Sequence, residues 1–394
     1  MTVPWWKQPG RVDRVRTRAV VVGAGVAGLS AAMHLERRGI RPIVLERHRV
    51  ASGASGRNAG FLMRGAAESY AVACDELGRE TARHAWRFTE ENIRALRDLG
   101  VALTPGYRDR PSCLLALNDA EAHDLERSAS LMAEDGFEAP FITTGDDDAW
   151  KNASPLCGLV NPHDAVCDPQ EVMTLLASKL DAEIRTNAEV AAINTSPDRV
   201  EVVTHDAVFE ADIVLLCVNA WARTLSPALA KLVEPNRAQM LALDAPGAKL
   251  DMAYYANEGG EYIRAGEGGV VLVGGCRRFD IEAERTLADE ATESVQSGIE
   301  AFAERVLGRR YPVLRRWSGP MGFSPDGLPI VGRLSELSPG GTAETRGGPV
   351  YFCGGFTGHG MSMGHLTARD AVEYALDDRP MPWSISRFSG RSPG

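Results

Sequence analysis

The chain has 394 residues, 44% hydrophobic and 24% charged, a globular composition too long for one simple core and sufficient for two packed domains. With 43 Lys and Arg against 53 Asp and Glu, its formal charge of −10 argues against nucleic acid as the main partner. The seven cysteines, Cys74, Cys113, Cys157, Cys167, Cys217, Cys276 and Cys353, include no CxxC pair, which speaks against a disulfide scaffold and against a zinc site. No metal is expected. No run approaches the ~20 apolar residues of a bilayer span. Residues 1–18 carry Trp5 and Trp6 but no apolar segment of signal-peptide type. The cytoplasm is therefore the expected compartment.

The first apolar run, Ala19-Val20-Val21-Val22, reads as a strand leading into Gly23-Ala24-Gly25-Val26-Ala27-Gly28. Helix formers follow up to Arg38, and Pro42-Ile43-Val44-Leu45 resumes as a strand that closes on Glu46 and Arg47. Strand, glycine turn, helix, strand and acid fall in the order a dinucleotide site requires. Gly23 permits the tight turn, Gly25 lets the backbone approach a pyrophosphate, and Gly28 lets the helix lie against the strand. The helix N-terminus at Val26 and Ala27 offers unpaired N–H groups and a positive dipole end to phosphate. Glu46 is placed to accept from ribose hydroxyls, and an acid there disfavours a 2′-phosphate. The fingerprint does not by itself separate FAD from NAD.

Residues 53–60, Gly53-Ala54-Ser55-Gly56-Arg57-Asn58-Ala59-Gly60, form a small-residue loop whose backbone can press against a ligand; read from the residues alone it is equally a Gly/Ser surface loop. Arg64 follows it as a candidate carboxylate binder. Amphipathic patterns predict helices over residues 68–78, 80–99 and 119–135, the last with Asn118 at the N-cap and Glu121 at N3. Asp168-Pro169-Gln170-Glu171 reads as a further helix start. Residues 211–219 are an apolar strand ending in Asn219-Ala220-Trp221, strands are expected over 261–264 and 269–275, and a helix over 289–307. Tyr262 and Arg264, two apart on a strand, share a face, and Arg264 is suited to bidentate carboxylate pairing, with Tyr254 or Tyr255 assisting. Near the C-terminus, residues 350–361 end in a glycine turn opening a helix over 361–376.

Three stretches now carry a resemblance: residues 53–61, the run 316–332 with its Pro325-Asp326-Gly327-Leu328-Pro329 turn, and Gly354-Gly355-Phe356-Thr357-Gly358-His359-Gly360-Met361. Together they resemble the D-amino-acid oxidase superfamily of FAD-dependent oxidoreductases, over residues 18 to about 378. The resemblance implies a fold of class α/β + α+β. A discontinuous Rossmann-type FAD domain (residues 1–80, 160–225 and 317–394) carries an inserted antiparallel-sheet substrate domain (81–159 and 226–316). It implies FAD contacts from the two glycine motifs, from Val190 at the adenine and Asn219, Ala220 and Trp221 at the phosphates. Gly322, Asp326 and residues 355–361 would stand at the flavin, where a helix N-terminus meets the charge of the reduced ring.

The implied reaction is oxidation of a small amine or amino acid, hydride passing to flavin N5 and water hydrolysing the imine, with oxygen or another electron acceptor completing the cycle. His359, Tyr262, Arg264 and Arg64 are the catalytic-site candidates. Some relatives attach flavin through a cysteine before the Pro-Asp turn, where this chain has Met321, or through a histidine in the second motif, where it has Arg57; the FAD is therefore expected to be non-covalent. Sarcosine oxidases carry a carboxylate-gripping lysine where Ser362 stands and an oxygen-activating lysine that aligns with Val271, which leaves His359, Arg264 or Arg277 as charges for oxygen. The run 358–365 is more similar to γ-glutamylputrescine oxidoreductase and its relatives. Two alternatives remain: the tRNA-modifying branch of the superfamily, against which the acidic charge weighs, and a non-catalytic flavin-binding assembly protein.

Overall fold

A computed structural model describes residues 13–196, 199–337 and 348–389. Trp5 and Trp6 lie outside the described residues. The Asp13–Val22 strand pairs in parallel with Ile43–Leu45 on one side and Ala207–Leu216 on the other, and Glu183–Arg185 extends the sheet beyond Ile43–Leu45. Ala19 to Val22 and Val214 to Leu216 are buried. That is why these runs are continuously apolar: Ala19 and Val21 share a core with the Val26–Arg37 helix, and Val20 and Val22 one with Val190, Val200, Val202 and Phe209, so both faces are covered. Ala207–Leu216 divides its edge, pairing with Val200–Thr204 through its first half and with Val350–Gly354 through its second. The chain's last third thus returns beside its first strand, and the Val26–Arg37 and Gly360–Asp377 helices pack on each other.

The second sheet is eight-stranded among the described residues, in the order Val313–Phe323, Glu234–Asp244, Val270–Gly275, Glu261–Ala265, Ala253–Ala256, Ser112–Ala116, Cys157–Asn161, Phe141–Ile142. Its pairs are antiparallel except Ala253–Ala256 with Ser112–Ala116. Strand alternation assigns its faces. Tyr254, Ile263, Val271 and Val273 share a core with Val295, Ile299, Phe302 and Val306 of the Glu293–Leu307 helix. Met240, Tyr255, Tyr262 and Leu272 look the other way, towards Phe61 and Met63 of the first domain.

Packing and pairing run across the expected segments. The Tyr70–Leu77 and Arg79–Asp98 helices share a core with the Val26–Arg37 and Gly360–Asp377 helices, through Tyr70, Ala85, Trp86, Phe88, Ile93 and Leu96. The same core takes in Ala116, Leu125, Met132, Cys157 and Leu159, so it runs across both expected segments. The Val313–Phe323 strand crosses the boundary expected at residue 317 and edges the second sheet. The helix expected from residue 289 begins only at Glu293: the Thr292 N–H donates to Gln239 Oε1, 2.9 Å, and Asp289 is drawn out to Arg57. Among the described residues no helix is long and apolar enough to cross a membrane.

Candidate functional site

A cavity of about 820 Å³ lies between the two sheets, within the range of small-molecule and cofactor sites. At one end the first glycine turn forms its wall. Gly23 has φ +102°, and a Cβ there would stand 2.6 Å from Cys217 O; a Cβ on Gly28 would stand 1.8 Å from Gly23 O. Both positions require glycine, the second for close helix–strand contact. The Val26 N–H donates to Ser55 Oγ at 2.9 Å, which joins the two glycine motifs. Glu46 is buried and accepts from the N–H groups of Ala24 (2.9 Å) and His48 (3.0 Å). Arg47 lies over the Trp221 ring, 3.4 Å from its centroid, and burial lowers its pKa.

The second motif folds as a short turn, Ala54–Arg57, entered through Gly53. Asn58 holds it closed: Nδ2 donates to the carbonyls of Ala54 and Ser55, and Oδ1 accepts from the Gly60 N–H at 2.8 Å. Gly60, at φ +73°, has no room for a Cβ, which would stand 2.0 Å from Cys167 O. Arg57 donates to Ser52 O and Ser318 O and pairs with Asp289, reaching across to the second sheet.

At the other end, Asn219 Oδ1 accepts from the Gly355 N–H (3.0 Å) and Gly322 O from the Thr357 N–H (3.0 Å), so the central and C-terminal motifs are tied together. His359 is the N-cap residue of the Gly360–Asp377 helix. Its Nδ1 is 3.1 Å from Thr357 O; a carbonyl only accepts, so Nδ1 carries the proton. Burial lowers the imidazole pKa, which keeps the ring neutral. Asp326 reaches the cavity edge, but its carboxylate is held by Arg387 through two hydrogen bonds of 2.7 and 3.0 Å.

Of the residues read from sequence, Gly23, Gly25, Val26, Ala27, Glu46, Arg47, Gly53, Ala54, Ser55, Arg57, Asn58, Ala59, Val190, Asn219, Ala220, Trp221, Asp326 and the run 356–361 line this cavity, as does Tyr262. Gly28, Gly60, Gly322 and Gly355 stand behind its wall. Two candidates do not reach it. Arg264 is buried with its guanidinium spent on the carbonyls of Ala59, Cys167 and Ala265. Arg64 is buried against Asn161, Glu90 and the Glu138 carbonyl. The expectation that either grips a substrate carboxylate is corrected accordingly: no donor of theirs faces the cavity. Val271 is corrected as well. It packs under the Glu293–Leu307 helix on the opposite face of the sheet, so its apolar side chain does not determine the charge beside the cavity.

The cavity is further lined by Phe61, Met63, Met240, Tyr255, Tyr262 and Arg277, and by Glu68, Glu76 and Glu258. Phe61, Tyr255 and Tyr262 form a mutually contacting aromatic group, with centroids 4.7, 5.8 and 6.0 Å apart. Burial pushes the Tyr262 hydroxyl up to about 12, so it remains a donor at neutral pH. The glutamates carry no motif: Glu76 lies near the end of the Tyr70–Leu77 helix, and Glu68 and Glu258 sit in loops. The one local signal was for Glu258, whose turn places Asn257 and Glu258 both at positive φ.

The cradle fits FAD on its own evidence. The glycines at 23, 25 and 28 admit backbone where a side chain would collide. The N–H groups of Ala27 at one end and of Gly360 and Met361 at the other have no acceptor among the described residues. Phosphate and the flavin pyrimidine are the acceptors such helix ends suit.

Comparison with known proteins agrees. The profile of the FAD dependent oxidoreductase family, DAO, matches residues 18–374. The chain belongs to this family. It is 28% identical over 330 residues to the tRNA 5-methylaminomethyl-2-thiouridine biosynthesis bifunctional protein MnmC of Maricaulis maris, covering 83% of this chain and 48% of that protein. The family member described here thus spans about half the length of that relative. It is 24% identical to the gamma-glutamylputrescine oxidoreductase of Escherichia coli, with 91% of this chain and 83% of that protein covered. The crystal structure of glycine oxidase from Geobacillus kaustophilus superposes with a TM-score of 0.77 at 21% identity, over 96% of this chain and all of that one. That likeness establishes the fold: a Rossmann-type FAD domain with an inserted sheet.

Proposed function

We propose that this family member binds FAD without a covalent link and oxidises a small amine or N-substituted amino acid, with oxygen as acceptor. The observation that carries the reading is the cavity itself, lined by the dinucleotide motifs on one side and by the apolar face of Met240, Tyr255 and Tyr262 on the other. Bound FAD supplies the hydride acceptor for the substrate's α C–H. The chain's own residues orient and desolvate. The aromatic group of Phe61, Tyr255 and Tyr262 excludes water and packs the amine's carbon substituents. Tyr262 offers a neutral hydroxyl as donor, and neutral His359 completes the helix N-terminus at the ring. Gly360 and Met361 hold N–H groups free for negative charge there.

Non-covalent attachment rests on the two positions where relatives anchor flavin. Met321 carries no thiol, and Arg57 is committed to Ser52, Ser318 and Asp289. Acid precipitation tests this reading: FAD must appear in the supernatant, and turnover of an oxidised amine must release carbonyl product and amine in equal amounts. Flavin retained in the pellet would overturn the attachment. A second reading, removal of an N-substituent from a modified tRNA base, draws support from the similarity to MnmC. Turnover of a modified tRNA under conditions where no free amine reacts would favour it.

A further inference from the structure

The family profile ends at residue 374, and the segment beyond it returns to the cavity wall. Val331 pairs in parallel with Ser384 and donates its N–H to Trp383 O at 2.9 Å. Gly332 makes room for this segment: a Cβ there would stand 2.2 Å from Ile385 Cγ2. Trp383, Ile385 and Phe388 are buried. This anchorage carries Arg387 to the turn 325–329.

Arg387 spends all three guanidinium nitrogens there. Nε and Nη2 donate to the two oxygens of Asp326 at 2.7 and 3.0 Å. Nη2 also donates to the carbonyls of Leu328 (3.2 Å) and Pro329 (2.8 Å), and Nη1 to Trp383 O (2.7 Å) and Ser384 O (3.0 Å). One planar fork thus ties the turn to the terminal segment, which an ammonium cannot do. Ser324, Pro325, Asp326 and Gly327 line the cavity. From Ser324 the link continues: its N–H donates to Thr357 Oγ1 at 3.1 Å, and Thr357 O accepts from His359 Nδ1 at 3.1 Å. Thr357 stands at φ 47°, a left-handed conformation that a β-branched residue holds only where its surroundings fix it. Arg387 is therefore joined, through the turn, Ser324 and Thr357, to the helix end of Gly360 and Met361 on the cavity lining.

We propose that Arg387 is a positioning residue for the flavin: by locking the turn 325–329, and through Ser324 and Thr357 the N-terminus of the Gly360–Asp377 helix, it raises the electron affinity of bound FAD. The physical basis is preorganisation. N–H groups already aimed where the reduced ring gathers negative charge stabilise it without rearranging, and donors free to shift lose part of that gain. The charge of Arg387 is offset by Asp326, so its effect passes through the geometry of turn and helix. The role rests on the reading of the cavity as an FAD site and is independent of the substrate.

The test is a redox titration of the purified holoenzyme against reference dyes, following flavin absorbance. Arg387→Ala should lower the equilibrium constant for two-electron reduction at least about tenfold, a shift of about 30 mV to more negative potential. Arg387→Lys, which keeps the charge and loses the fork, should shift in the same direction, and it carries the test should Arg387→Ala retain no flavin. Guanidinium ion at non-denaturing concentration should move the Arg387→Ala potential back towards wild type, and sodium ion at the same ionic strength should not. A wild-type potential in both variants overturns the proposal. So does a shift in Arg387→Ala that is absent from Arg387→Lys, because charge alone would then suffice. Wild-type protein that holds no flavin would overturn the FAD reading, and the positioning role with it.

Discussion

The guanidinium of Arg264, on the central strand of the inserted sheet, donates to the carbonyl of Ala59 in the second glycine motif. With a second bond to Cys167 O at 3.0 Å, it bolts the substrate sheet to the loop that forms the cavity floor. Arg264→Met should therefore lower the unfolding free energy by on the order of 1–3 kcal/mol and loosen FAD, because buried carbonyls lose their donor. Urea denaturation and FAD titration of the apoprotein check this. An effect confined to substrate KM, with stability and FAD affinity unchanged, would return Arg264 to the substrate site.

A buried histidine pair supplies a pH dependence. His34 and His365 stack between the Val26–Arg37 and Gly360–Asp377 helices, centroids 4.7 Å apart, with His365 Nδ1 3.0 Å from Ser30 Oγ. Burial, reinforced for His34 by His365 and for both by Arg37 and Arg369, lowers them to about 3 and about 4. Both are neutral in the fold, whereas in the unfolded chain they protonate near pH ~6.5. The stability they allow is present above that value and is lost as pH falls from about 6.5 towards 4 for His365 and towards 3 for His34, by roughly 2 kcal/mol per histidine at pH 5. His34→Leu should flatten the acid limb of the stability–pH curve; an unchanged slope would place the acid sensitivity elsewhere.

Glu68, Glu76 and Glu258 line the cavity, and burial together with the charges of Glu76 and Glu258 raises the pKa of Glu68. Such a wall draws in cations and repels anions. The Glu68→Gln/Glu258→Gln double variant should lower kcat/KM for a substrate of net positive charge, with a difference that shrinks as salt is added. A difference independent of ionic strength would mean that these glutamates act by shape rather than charge.

The FAD domain was legible because its determinants are local. A strand, three glycines, a helix and an acid sit within about thirty residues, and each glycine has a steric reason visible in sequence order. The helix starts at Asn118 and Asp168 were legible for the same reason, and both side chains cap as expected. The substrate wall was not. Tyr262 and Arg264 share a strand face, yet one opens onto the cavity and the other is sealed under Ala59 and Cys167; only the packing of two sheets distinguishes them. Val271 and Leu272 likewise differ by the register of one strand, which the alternation of an all-apolar run cannot reveal. Arg277 was visible only as a charge after a strand, and the turn at Cys276 that directs it inward has no sequence signature.

The central claim, FAD-dependent oxidation of an amine in this cavity, is tested most directly by anaerobic mixing of the purified protein with a panel of primary and secondary amines and amino acids, following flavin absorbance. At least one amine or amino acid should bleach the oxidised flavin band, and admitting air should restore it with formation of hydrogen peroxide. A protein that binds FAD, is bleached by dithionite and is left oxidised by every amine and amino acid in the panel would contradict it.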